Sequence, residues 1–172
     1  MAAGVTYTPI ANYTFASAAA NYTFSSIPQT YTNLVLISYR QQSVAGRFLL
    51  RFNGDSGANY SDTYTSGQGT TGYSGRDSGT GYSAISMGGI WNGTTTTTWA
   101  TNITHIFNYT NTTTYKTTLS RDANDKNGSG TVEAVVGLYR ATPASITSLT
   151  AIASGGNFSI GTVMSLYGIA AA

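Results

Sequence analysis

The stretches Thr32-Asn33-Leu34-Val35-Leu36-Ile37-Ser38-Tyr39-Arg40-Gln41 and Arg47-Phe48-Leu49-Leu50-Arg51-Phe52-Asn53-Gly54-Asp55 decide the fold class. The second alternates with a period of two. Phe48, Leu50 and Phe52 share one face, and Arg47, Leu49 and Arg51 share the other, which is the signature of a strand with one buried side. Asn53-Gly54-Asp55 then stops it with residues that tolerate the tight backbone of a turn. In the first stretch, Leu34 to Ile37 is apolar without a break, which predicts a strand covered on both faces.

Outward from this pair the same grammar repeats. Short runs rich in Thr, Tyr, Val and Ile fit a pleated surface and are separated by clusters of Gly, Asn, Asp and Ser. Strands are expected over residues 82–91, 94–109, 115–120, 132–140, 146–152 and 163–169. Asn92-Gly93 is a hairpin signal, and residues 122–130 read as a polar turn. In 132–140 the apolar face is Val132, Ala134, Val136 and Leu138. Residues 56–81, rich in Gly, Ser, Thr and Tyr, read as a long ordered loop with short strands, an excursion from the main body. The total is about eight to ten strands in one domain spanning residues 1–172. Long connections and an N-terminal strand free to pair far along the chain favour a jelly-roll-like antiparallel sandwich over an up-and-down barrel. Asn12-Tyr13-Thr14-Phe15 recurs as Asn21-Tyr22-Thr23-Phe24, a local duplication.

Composition narrows the function. Charged residues are 8% of the chain, against roughly 25% in an average domain, while aromatics are 12% with 13 Tyr. A core is therefore available, and the surface must be neutral hydroxyl and amide. The eight basic residues are scattered, so no electrostatic footprint for nucleic acid is expected. Without cysteine, disulfides and thiolate chemistry are excluded. No apolar run is long enough for a spanning helix, so no membrane partner is expected.

Chemistry is scarce. The single histidine, His105, sits in Ile103-Thr104-His105-Ile106-Phe107 and shares its face with Ile103, Phe107 and Tyr109, a packed or interface position. No Gly-x-Ser-x-Gly elbow marks a nucleophile. Asp55, Asp62 and Asp77 lie among turn residues, where backbone bonding explains them better than a paired-carboxylate site does. Asp125-Lys126-Asn127-Gly128-Ser129-Gly130 begins like a calcium loop, but the twelfth position is Val136 instead of a bidentate Glu. A tight turn is the better reading, with no metal and no cofactor expected. The expected contact surface is aromatic: Tyr60, Tyr64, Tyr73, Tyr82 and Trp99. Tyr among Ser and Gly builds adaptable contacts, and aromatic platforms also bind sugars.

Several segments together resemble a class of β-sandwich structural proteins of tailed bacteriophages. They are Tyr7-Thr8-Pro9-Ile10 leading to Asn12-Tyr13-Thr14-Phe15, then Leu50-Arg51-Phe52-Asn53-Gly54-Asp55, Asn59-Tyr60-Ser61, residues 108–117, Gly137-Leu138-Tyr139-Arg140 and Ser165-Leu166-Tyr167-Gly168-Ile169. The resemblance covers nearly the whole chain and carries no catalytic residue. It implies a non-enzymatic virion component. With a sandwich that begins near Met1 and no heptad or shaft repeat, a capsid cement protein on the outer surface of the shell is expected. It would be trimeric and would contact the major capsid protein. The alternative is a tail-fibre or receptor-binding tip domain whose Tyr-rich middle contacts host-surface carbohydrate.

Overall fold

The computed structural model describes residues 6–78, 82–90 and 98–170. Among these are twelve strands: β1 (Thr8–Thr14), β2 (Asn21–Phe24), β3 (Asn33–Arg40), β4 (Gly46–Phe52), β5 (Tyr60–Gln68), β6 (Thr71–Asp77), β7 (Ile85–Ile90), β8 (Ala100–Ile106), β9 (Lys116–Asn124), β10 (Thr131–Tyr139), β11 (Leu149–Ala153) and β12 (Val163–Ile169). They form an eight-stranded sheet in the order β1-β12-β3-β8-β9-β10-β5-β6 and a four-stranded sheet in the order β2-β11-β4-β7.

The pairing is nested. β1 pairs with β12, β2 with β11, β3 with β8 and β4 with β7, all antiparallel. The first half of the chain is thus one arm of a long hairpin, the second half is the other, and the hairpin is rolled on itself. The β12–β3 and β11–β4 ladders close the roll. This is a jelly-roll-like sandwich with two hairpins added. β5–β6 enters between β4 and β7, β9–β10 enters between β8 and β11, and a β10–β5 ladder joins them. The additions widen one sheet only.

The core lies where the two sheets oppose. Phe48, Leu50 and Phe52 of β4 face Leu34, Leu36, Met164 and Leu166 of the large sheet, all essentially solvent-free. The alternation in β4 therefore has the expected phase. The duplicated tetrapeptide places equivalent residues at the edge of both sheets: Tyr13 and Tyr22 stack at 3.7 Å between ring centroids, with Phe15 and Phe24 buried beside them.

Under the added strands the interior turns polar. β8, β9 and β10 point Asn102, Thr104, Ser120, Asp122 and Glu133 inward. Arg40 and Asp122 form a buried ion pair at 2.8 Å, with the Arg40 guanidinium 4.3 Å over the Phe48 ring. Asn102 Nδ2 donates to Met87 O at 2.7 Å and to Asp122 at 3.1 Å, and Thr104 Oγ1 donates to Asn102 Oδ1 at 2.8 Å. β7 reaches this layer at Gly88, whose φ is +118° and whose α-carbon lies so close to Asp122 that a Cβ would stand 2.3 Å from the Asp122 Cβ.

Four expectations are corrected here. Residues 56–81 hold a regular hairpin, β5–β6, because β10 supplies the ladder that the Gly- and Ser-rich sequence cannot advertise. Asp122 and Asn124 belong to β9, and the turn is confined to residues 125–130, where Asp125 Oδ1 accepts from the Gly128 N–H at 3.1 Å. In β10 the apolar face is the solvent face: Val132 and Val136 are exposed, while Thr131, Glu133, Val135 and Tyr139 point inward. The 82–91 strand is shorter than expected, and Trp91, Asn92-Gly93 and the threonines 94–97 lie outside the described residues.

Candidate interaction surface

Each strand of the large sheet presents one set of side chains to the small sheet and the other set outward. The registers align the outward set into rows. Ile37, Ile103, Arg121, Ala134 and Thr65 lie side by side across β3, β8, β9, β10 and β5. In the next row are Tyr39, Thr101, Ala123, Val132 and Gly67, and in the row on the other side Val35, His105, Leu119, Val136 and Thr63. Ile37, Tyr39, Ile103, Val132 and Val136 are all solvent-exposed, Val132 by 63%. Phe107, just past β8, is exposed too. A monomer seldom leaves so many apolar groups together on one face without a use for them. The apolar run in β3 is covered on both faces at Val35 but open at Ile37.

Trp99 lies at the edge of this face, half-buried, its ring stacked on Tyr39 with centroids 4.9 Å apart. It borders a shallow depression of about 520 Å³ that continues toward Thr101 and Val132. His105 is also on the outer face; burial, and then the charge of Arg121, holds its imidazole below the usual value, so it is neutral at pH 7. Tyr109, expected on the same side, is instead fully buried, since the chain leaves β8 at Ile106 and turns through Asn108, which has a φ of +49°.

Electrostatics separate the two sides of the sheet. Asp62, Asp77, Asp122 and Glu133, four of the six acidic residues, are buried on the inner side. Asp77 is ion-paired with Arg47 and accepts from Tyr82 Oη at 3.1 Å. Asp62 accepts from the Ser86 N–H at 3.0 Å. Burial pushes the carboxyls of Asp62 and Asp122 up, against the pull of Arg47 and Arg40 respectively. Among the described residues, the charged groups of the outer face are Arg76, Arg121 and, beside the Trp99 depression, Asp125. Asp62, Asp77 and Asp122 are thus held by structural donors, and among the described residues no three carboxylate or imidazole groups converge as metal ligands do.

The five expected contact aromatics separate. Tyr60 is core: it is fully buried, stacks on Tyr139 at 4.8 Å and donates to Asp55 O at 2.8 Å. Its strand parity points it inward, which the Gly- and Ser-rich neighbourhood hides. Tyr82 is half-buried against the core and tied to Asp77. Tyr64 and Tyr73 are brought together on the inner side of β5–β6, and Trp99 lies apart from them on the outer side, against Tyr39. Sequence reasoning does not find Ile37, Ile103, Val132 and Val136 as surface residues. Their alternation is visible, but alternation cannot say which face is covered.

No protein-family model matches the chain, and no curated protein matches it. Among solved structures it is similar to an exo-inulinase from Aspergillus awamori at 14% identity and a TM-score of 0.29, over 95% of this chain and 29% of that one. The chain thus spans less than a third of that protein's length, and a likeness of this size carries no argument about fold or activity.

Proposed function

We propose that this chain is a non-enzymatic virion structural protein of a tailed bacteriophage. It acts as a capsid cement protein that lays the outer face of its large sheet on the shell. One observation carries the reading: the exposed apolar rows through Ile37, Ile103, Val132 and Val136. Burying such a face is favourable at about 25 cal/mol per Å², and few charges need desolvating. Arg76 and Arg121 fit a partner that brings carboxylates, and the scarcity of other exposed charge removes competing like-charge contacts. The major capsid protein is the proposed partner, and a closed ring of three copies the proposed assembly.

The test uses purified protein and phage heads stripped of their accessory proteins. Light scattering is expected to give the mass of three chains, and the protein is expected to rebind the heads and raise their rupture temperature. A monomer that ignores heads overturns the proposal.

A further inference from the structure

The large sheet is twice as wide as the small one, so the inner face of β5–β6 extends past the cover that β7 provides. Near β7 the inward pair is Asp62 and Asp77, both buried. Farther along the hairpin the inward residues are Tyr64 opposite Gly75, then Ser66 opposite Tyr73, then Gln68 opposite Thr71. Of these, Tyr64, Ser66, Gln68 and Tyr73 line an open cleft of about 380 Å³ whose other walls are Arg47 of β4 and Thr131 of β10.

The Tyr64 ring lies directly on the backbone of β6. A Cβ at Gly75 would stand 2.6 Å from its Oη, 2.8 Å from its Cζ and 3.1 Å from its Cε1. Glycine at 75 therefore lets a phenol lie along the sheet instead of standing up from it. Tyr73, on the next strand and displaced by two residues, is 49% exposed. Two neighbouring rings, one of them laid along the sheet surface, form a platform edged by hydroxyl, amide and guanidinium groups.

We propose that this platform binds a neutral saccharide chain, with Tyr64 and Tyr73 stacking on the apolar faces of successive pyranose rings. Ser66, Gln68 and Arg47 face the ring hydroxyls. Neutral sugar is favoured over a phosphate-bearing ligand because the positive charge of Arg47 is already matched by Asp77 and, among the described residues, no other basic side chain lines the cleft. The site is on the opposite side of the sheet from the proposed shell contact, so the assignment does not rest on that reading and both surfaces can be used at once.

The intact protein is titrated calorimetrically with neutral hexasaccharides of glucose, mannose and galactose. At least one is expected to bind saturably, with Tyr64→Ala and Tyr73→Ala each weakening it roughly tenfold or more. Gly75→Ala, which displaces the Tyr64 ring, is expected to weaken it as well. Tyr115→Ala is the control, since Tyr115 is 54% exposed and belongs to the far end of the sheet. Unchanged melting temperatures keep the comparison free of misfolding. Absence of saturable binding for every sugar overturns the assignment, as does binding that survives both tyrosine substitutions. Loss of head rebinding in Tyr64→Ala or Tyr73→Ala would give the platform to shell contact and overturn it too. Normal head rebinding with no sugar binding removes this proposal alone.

Discussion

Asp55 shows how much a single turn residue organises. Its carboxylate accepts from the Gly57 N–H at 2.7 Å, Asn59 Nδ2 at 2.8 Å and Tyr139 Oη at 2.9 Å. Burial pushes its pKa up, but these bonds and the charge of Arg51 outweigh it and hold the carboxyl below the usual value. The ionised form therefore stabilises the fold above the unfolded-state value near ~3.9, and that contribution is lost as pH falls through the depressed one. Asp55→Asn is expected to cost about 1 kcal/mol at pH 7 and less at pH 3, below the unfolded-state value, measured by urea unfolding at both. A gap of equal size at the two pH values would contradict this. Leu50 is a simpler case: it is fully buried at the centre of β4, and Leu50→Ala should cost about 2–5 kcal/mol. A change within error would mean that the site is not packed as described. Leu50 is legible from alternation alone. Asp55 is legible as a turn residue, but the Tyr139 hydroxyl it recruits comes from 84 positions along the chain, and no local pattern encodes such a partner.

At the scale of elements, the added hairpins depend on each other. β5–β6 has little apolar content, yet β5 runs nine residues in register with β10. Pairing of backbone groups and the β7 layer hold it in place, which is why its sequence resembles a loop. The β9–β10 turn is closed by its own atoms, with Asp125 accepting from the Gly128 N–H and Ser129 Oγ donating to Lys126 O at 3.0 Å. Chelation with EDTA is therefore expected to leave the melting temperature unchanged. A large drop restored by calcium would instead make Asp125 and Asn127 ligands. Alternation locates the strand of residues 132–140 but assigns its apolar set to the core. The set that does face inward includes Thr131 and Glu133, which is sensible only beside the polar layer that Arg40, Asn102 and Asp122 create.

For the whole molecule, the arrangement divides labour between the two sides of one sheet. The inner side holds the core and most of the acidic groups; the outer side holds apolar groups, Arg76 and Arg121, with Asp125 at its Trp99 end. If the outer side docks on the shell, Val132→Glu should abolish rebinding to stripped heads. It should change folding stability by no more than about 0.5 kcal/mol, because Val132 is a surface position. Ile103→Asp should behave similarly. A Val132→Glu protein that rebinds heads with wild-type affinity would remove this face from the contact.

By itself the sequence determined the all-β class, the core phase of β4, most strand positions and the poverty of acid–base chemistry. These rest on composition and on a period of two, both local properties. The tertiary structure decided the rest: the joining of β5–β6 to β9–β10 through the β10–β5 ladder, the inward turn of Tyr60, the outward turn of Val132 and Val136, and the meeting of Tyr64 with Tyr73. The physical reason is that alternation sorts a strand's side chains into two sets but leaves them equivalent. Which set is buried depends on whether another layer lies over it. Here the second sheet covers only one side, and only part of the wider sheet's width.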